Sequence, residues 1–255
     1  MNRILFEPEE IRADGTVLLT DERAEHVRRV LRAAPGQVIT TGTLNGLAGI
    51  SRVLDVAESC VRLLPDHTVI LPEPWFDLLL AAPRPKVLRR LWPQLAALGV
   101  GRVALLNAYK VEKCYFSSQW LDPLHYRPLL IEGLTQAGLT RFPEVRVCPR
   151  FKPFVEDELD GLFPTALRLL AHPGPRRTLP HVADQKARPL LAVGPEGGWT
   201  DYEMKALVAH GFQMFSLGER ILRSDTACIA LVSVLEYALN GLENQIDSRT
   251  SPVIV

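Results

Sequence analysis

The chain changes rhythm near residue 70. Before that point, short apolar stretches alternate with turn residues. Segments 3–6, 16–19, 37–41, 47–54 and 60–64 read as strands, and Asp14–Gly15, Pro35–Gly36, Asn45–Gly46 and Pro65 read as the turns between them. One helical pattern, from about residue 22 to 31, interrupts the strands. The pattern predicts a small all-β module over residues 1–72, closed as a barrel. The aperiodic stretch Ile70-Leu71-Pro72-Glu73-Pro74, with its two prolines, then predicts a linker.

From Trp75 onward, near-continuous apolar runs at 76–82, 102–106, 144–148, 166–171, 189–193 and 212–217 alternate with helical patterns at 85–98, 123–138, 154–162, 201–210 and 225–239. Apolar strands without an outward polar face must be covered on both sides. The expected architecture is therefore an α/β domain over residues 73–255, built on a mainly parallel sheet. Pro93 falls inside the first of these helices, where it removes a backbone donor, so a kink or a split is expected there.

Composition narrows the function. A chain of 255 residues, 47% apolar and 23% charged, can bury a core without staples. Cys60, Cys114, Cys148 and Cys228 form no C-x-x-C pair, and the six histidines do not cluster. Both facts argue against a metal site or a disulfide framework and for a reducing, cytoplasmic setting. No run reaches the roughly 18 apolar residues of a membrane span, and the acidic start MNRILFEPEE does not read as a signal peptide. The net charge is zero, which by itself argues against a nucleic-acid partner. Its distribution is uneven: residues 84–152 carry 12 Lys and Arg against 4 Asp and Glu, whereas residues 1–72 carry 8 against 10. Either an anion-binding face or a solvated surface accounts for such an excess.

The chemistry concentrates after three strands. Segment 189–193 runs into Gly194-Pro195-Glu196-Gly197-Gly198. Thr200 and Glu203 have the spacing of a capping box, so a helix should start near Asp201, and Gly211 should close it. Ligands of parallel sheets bind at the carboxyl ends of the strands, and glycines remove the Cβ atoms that would block their approach. The loop is neither a dinucleotide fingerprint nor a P-loop. Alone, it fits an empty turn equally well. However, 166–171 also ends in Ala171-His172-Pro173-Gly174, and 212–217 ends in Leu217-Gly218-Glu219-Arg220-Ile221-Leu222-Arg223. Ser224 or Asp225 can then cap a long helix starting near Thr226.

These stretches, L-A-H-P, V-G-P-E-G-G and L-G-E-R-I-L-R-S-D-T-A, resemble in order and spacing the SPOUT class of methyltransferases, and within it the 16S ribosomal RNA uridine-N3 methyltransferase family. His26 followed by Val30-Leu31-Arg32 is similar to that family's N-terminal H-x-x-x-V-L-R, so the resemblance covers nearly the whole chain. It implies a trefoil-knotted methyltransferase domain behind an RNA-binding PUA-like barrel, S-adenosylmethionine as cofactor without a metal, and a cytoplasmic homodimer acting on the small ribosomal subunit. Carried over, the cofactor pocket comprises His172 and Pro173, then Gly194, Glu196, Gly197 and Gly198, then Leu217, Gly218, Ile221 and Leu222. Methylating N3 of a uridine requires that nitrogen to lose its proton, and a fixed guanidinium stabilises the resulting charge. Arg223 is the first choice for that role and Arg220 the second. A helix-capping or phosphate-contacting arginine is the alternative. No general base can be named.

Departures from the family fall on the substrate side. A usual Glu-Gln-x-x-Arg reads Thr135-Gln136-Ala137-Gly138-Leu139, a usual Glu-Leu-Gly-Val reads Ala97-Leu98-Gly99-Val100, and a usual Glu-Arg reads Tyr109-Lys110. Asp225 stands where the family has Glu. These leave open the same chemistry on another rRNA or tRNA site, or an RNA-binding paralogue without activity. On the leading reading, Lys86, Arg89 and Arg90 share one helix face, with Arg84 beside them, and contact phosphates. Arg28, Arg29 and Arg32, at matching spacings on the N-terminal helix, extend that surface, and Gln136 and Arg141 join Arg223 in reading the base. The nearly all-apolar stretch 227–235 needs cover on every side, which a second subunit would complete.

Overall fold

A computed structural model describes residues 3–164, 167–174 and 188–250, with side chains as far as residue 239. The first sheet contains β1 (Ile4–Phe6), β2 (Val17–Leu19), β3 (Val38–Thr43), β4 (Ala48–Val56) and β5 (Val61–Val69), in the order β1-β3-β4-β5-β2. Between β2 and β3 lie a single turn of helix, α1 (Glu22–Glu25), and a π-helical turn, His26–Val30. Phe6, Val17, Leu19, Val27, Val53 and Leu63 close an apolar cluster of their own. Residues 70–75 join this sheet to the next without regular structure.

Two expectations fail in this part. Pro65 is no turn: β5 continues through it to Val69, with Pro65 opposite Ser51 of β4. The short β2 pairs only with residues 61–63, so the other edge of β5 is open at Pro65 and no ladder donor is missed. Arg32 is not on the helix. The N–H of Leu31 bonds the His26 carbonyl at 3.0 Å, which closes a wide turn, and Arg32 then adopts a left-handed φ of 50°. A π turn also breaks the i, i+4 spacing that would have put Arg28 and Arg32 on one face.

The second sheet is wholly parallel and has the order β11-β9-β10-β6-β7-β8. It is formed by β6 (Phe76–Ala81), β7 (Val100–Leu106), β8 (Glu144–Cys148), β9 (Leu167–Ala171), β10 (Pro189–Val193) and β11 (Gln213–Phe215). Alternation along each strand splits the core in two. Leu78, Leu80, Val103, Leu105 and Leu191 pack under α2 (Pro85–Ala97), α3 (Pro123–Ala137) and α7 (Ser224–Thr250). Leu79, Ala104, Leu106, Leu190 and Ala192 face the opposite layer. That layer contains a helical segment running through α4 (Phe151–Pro153), a π turn and α5 (Leu159–Leu162), together with α6 (Asp201–Ala209). The helix expected at 154–162 thus starts three residues earlier, and α7 extends well beyond 239. Helix α2 runs unbroken through Pro93. The Cα of Gly133 in α3 comes so close that a Cβ there would lie 2.1 Å from the Pro93 carbonyl oxygen, so α3 packs directly on the α2 backbone at this proline.

The first sheet docks on the amino edge of the second. Asn45 at the β3–β4 turn donates its N–H to the Thr140 carbonyl (2.8 Å) and accepts the Phe142 N–H on Oδ1 (2.8 Å). Arg3 donates its N–H to Thr135 (2.9 Å) and its Nε to the Gly138 carbonyl (2.9 Å). Leu5 and Leu44 enter the apolar cluster of the parallel sheet. No helix of the described residues is long and apolar enough to cross a membrane.

Candidate functional site

Because the six strands are parallel, the loops after β9, β10 and β11 open on one edge, the carboxyl edge. The β9 and β11 loops continue the ladder: His172 N–H donates to the Phe215 carbonyl and Gly174 N–H to the Gly218 carbonyl, both at 3.2 Å. The buried Ser216 hydroxyl pins them, lying 3.0 Å from the carbonyls of Gly174 and Gly218 and accepting the Gly218 N–H at 3.0 Å. In the β10 loop, Gly198 donates to the Pro195 carbonyl at 2.7 Å and takes a φ of 70° that side chains resist.

The three loops converge on one cleft. His172, Pro173, Gly194, Glu196, Gly198, Leu217, Gly218, Ile221 and Leu222 all line it, as do Trp199, Arg220, Ser224 and Leu231. Gly197, the tenth expected pocket residue, does not. It backs onto Lys110, whose Cδ would lie 2.9 Å from a Cβ at that position, so its missing side chain makes room for a neighbouring loop and not for a ligand. Arg223 is also off the wall. It is exposed at the end of the loop, its carbonyl accepting the Ala227 N–H at 2.7 Å, while Arg220 stands on the wall itself. Leu217, Ile221 and Leu222 leave apolar surface in water, Ile221 being 80% exposed.

The electrostatic signature of the cleft is unmet hydrogen bonding. Among the described residues, buried side-chain polar atoms without a partner include His172 Nδ1, Trp199 Nε1 and Ser224 Oγ, and all three residues line this cleft. Native proteins seldom leave such groups unpaired, because each costs about 1–3 kcal/mol. Gly194 exposes the indole donor: a Cβ there would come within 3.0 Å of Trp199 Nε1. Ser224 opens α7 but its hydroxyl caps nothing. Sequence reading used Ser224 only as a cap and passed over Trp199, since an orphaned donor is a property of three dimensions.

A second loop braces the glycines. Thr200 and Glu203 form the expected capping box, with Glu203 Oε2 accepting from Thr200 N–H at 2.8 Å. The other oxygen of the same buried carboxylate accepts the Tyr109 N–H at 2.7 Å, and Lys110 Nζ donates to the Gly197 carbonyl at 2.7 Å. The Tyr109-Lys110 pair, which departs from the family pattern, thus clamps the β10 loop.

The residues expected to meet RNA are scattered. Lys86 and Arg89 are exposed on the first half of α2, at the carboxyl edge, with the Arg89 guanidinium 5.1 Å from the centre of the Trp120 ring. Arg90 is already paired, its Nη2 lying 2.9 Å from Asp225 Oδ2 at the start of α7. Gln136 and Arg141 sit at the far end of α3, which runs against the strands and ends at the amino edge. There Arg141 bonds Glu73 (2.6 Å) and the Asn45 carbonyl (2.8 Å), so within one chain neither reaches the cleft. Arg29 pairs with Glu25 at 2.9 Å, and Arg28 is half-buried with Nε unpartnered.

Residues 71–236 match the RNA methyltransferase domain family. A ribosomal RNA small subunit methyltransferase E of Treponema pallidum is 28% identical over 99% of this chain and 98% of its own length. The Synechocystis protein of that name is 30% identical over 91% of this chain and 76% of its own. Among solved structures, a methyltransferase of Legionella pneumophila in complex with SAM is 25% identical, with a TM-score of 0.70 over 93% of this chain and 98% of that one. The Neisseria gonorrhoeae methyltransferase E bound to S-adenosylmethionine gives a TM-score of 0.72 at 22% identity, covering 92% and 97%, which shows a shared fold. Matched along nearly its full length and across the whole of its cleft, this chain belongs to the ribosomal RNA small subunit methyltransferase E family.

Proposed function

We propose that this protein methylates N3 of a uridine in the RNA of the small ribosomal subunit, with S-adenosylmethionine as methyl donor. The observation that carries the reading is the cleft at the carboxyl edge, where the three loops bring together three orphaned polar atoms and an uncovered apolar wall. That donor set fits the cofactor. A purine needs apolar faces and a few polar partners, which Leu217, Ile221 and Leu222 and the groups of His172, Trp199 and Ser224 can supply. Bound there, S-adenosylmethionine provides an electrophilic methyl group. The chain's own contribution is to hold the acceptor and favour its ionised form. Arg220 on the wall, with Arg223 beyond it, would supply the positive charge that a deprotonated N3 and its flanking carbonyl oxygens need.

The same reading includes a PUA-like barrel at residues 1–72, a knotted domain at 73–255 and a homodimer. The first sheet with its own apolar cluster supports the division. The dimer has a geometric argument. Gln136, Arg141 and the first sheet lie at the opposite edge of the parallel sheet from the cleft, so a two-fold partner is what would bring such an edge to it. The exposed Val234 and Tyr237 on α7 offer apolar surface for that contact. The basic residues Lys86 and Arg89 remain phosphate contacts on this reading, whereas Arg90 serves the protein itself through Asp225.

Calorimetry should show S-adenosylmethionine binding in the micromolar range, about −8 kcal/mol. Labelled methyl should then pass to small-subunit RNA, with N3-methyluridine identified by nucleoside mass spectrometry. Tight cofactor binding with label on a different RNA or base would move the target. No cofactor binding would sink the reading.

A further inference from the structure

We propose that Tyr109 is a stacking platform for a base of the RNA substrate. The inference rests on the methyltransferase reading and adds a substrate contact to it. Tyr109 is 85% exposed. Its backbone is nonetheless fixed, since its N–H is held at 2.7 Å by Glu203, a carboxylate in a residue only 2% exposed. Next to it, the exposed Lys110 donates its Nζ to the Gly197 carbonyl at 2.7 Å, and Gly197 lies between the cleft-lining Glu196 and Gly198. Tyr237 and Tyr202 are also exposed, but both belong to helices and no buried carboxylate holds their backbone N–H groups. Tyr109 combines a free ring with an anchored main chain, on a loop bonded to the wall of the cleft.

The surroundings fit RNA. Tyr109 follows β7, and β6 lies between β7 and β10 in the sheet. The carboxyl edge therefore presents, in order, the glycine loop, the exposed Arg84 that opens α2, and Tyr109. The loop after β7 reaches across to the glycine loop, where Lys110 Cβ would lie 3.4 Å from a Cβ at Gly197, so Tyr109 is one residue away from that contact. An exposed cation and an exposed aromatic ring on the same edge as the cleft can take one backbone phosphate and one unstacked base. Lys110 is occupied as a brace, which leaves the ring as the part of this pair without a bond to the glycine loop.

The test is equilibrium binding of a single-stranded fragment of small-subunit RNA to the full-length protein, at several salt concentrations, with cofactor affinity measured alongside. Tyr109→Ala should weaken RNA binding roughly 5- to 150-fold, the range of one base–aromatic stack, and raise the KM for RNA. Tyr109→Phe and Tyr109→Trp should restore it. Cofactor affinity should not change, because the N–H that Glu203 holds is still present. Plots of log affinity against log salt should stay parallel for Tyr109→Ala and the wild type, since a stack releases no counterions. Unchanged RNA affinity in Tyr109→Ala, or a dimer that turns into a monomer in light scattering, overturns the proposal. Wild-type protein that binds the RNA with this Tyr109 dependence but transfers no methyl overturns the methyltransferase reading and leaves the stack standing.

Discussion

The two edges of the parallel sheet carry polar groups of opposite condition. At the amino edge, Arg3, Asn45, Thr140 and Arg141 tie the first sheet to the end of α3, and each of these polar contacts has its partner. At the carboxyl edge, His172, Trp199 and Ser224 bury donors and acceptors that nothing among the described residues satisfies. Both edges are rich in loops, glycines and arginines, so composition does not separate them. Hydrogen-bond bookkeeping does. A finished joint meets its own polar demand, whereas a binding site leaves part of that demand for its ligand. Glycine shows the same split. Gly133 lacks a side chain because the α2 backbone occupies the space; Gly194 lacks one beside an indole donor that has no partner among the described residues.

Adding one methyl group to each of these glycines should therefore break different things. Gly133→Ala puts a Cβ about 2.1 Å from the Pro93 carbonyl, a backbone atom that can yield only if α2 and α3 separate. Overpacking of this kind should cost more than about 3 kcal/mol, seen as a lower denaturation midpoint or as insoluble protein. Gly194→Ala meets the edge of the Trp199 ring at 3.0–3.1 Å, and a side chain can shift by a few tenths of an ångström. It should fold with a stability change below about 1 kcal/mol and lose about tenfold in cofactor affinity. If Gly194→Ala is the less stable of the two and binds the cofactor normally, the two edges do not differ in the way stated.

Ser224→Ala sharpens the comparison, because its two effects should have opposite signs. The hydroxyl is buried and has no partner among the described residues, so removing it should leave stability unchanged or raise it by up to about 1 kcal/mol. With cofactor bound, the same change should remove one hydrogen bond and reduce affinity about fivefold. Calorimetry and chemical denaturation on one preparation check both. A variant that is destabilised while cofactor affinity holds would show the serine to be structural.

The sequence resolved the carboxyl edge better than the amino edge, for a physical reason. Parallel strands buried on both faces leave uninterrupted apolar runs, and β10, buried at every position, lies where its run places it. Loops that must pass close to a ligand need glycine, so nine of ten expected pocket residues meet in the cleft. What the sequence did not show lies where a residue's partner is far along the chain. Pro65 reads as a breaker until β2 proves too short to need its N–H. Gly197 reads as a ligand glycine until Lys110, 87 positions earlier, fills the space behind it. Arg90 reads as an unpaired cation until it meets Asp225. Gln136 and Arg141 carry a motif, but no motif states which edge of a sheet the end of a helix will reach.

The smallest expected effect concerns pH and belongs to the amino-edge side alone. His67 lies within the first sheet, its Nε2 2.8 Å from Thr41 Oγ1 and its Nδ1 3.0 Å from Thr43 Oγ1, with the ring stacked on Phe6. Burial, and secondarily the nearby Arg3, push its pKa below the ordinary 6.5, while Asp66 opposes them weakly. The folded state therefore takes up this proton less readily than the unfolded chain. Stability from the neutral ring is complete above about 6.5 and is lost as pH falls through the lower folded value. Chemical denaturation at pH 8 and pH 5 should show a larger fall for the wild type than for His67→Gln, which keeps a donor and an acceptor but no titrating group. Carboxylates are common to both proteins and cancel in that difference. Parallel falls would mean that the two hydroxyls hold the charged ring as well as the neutral one.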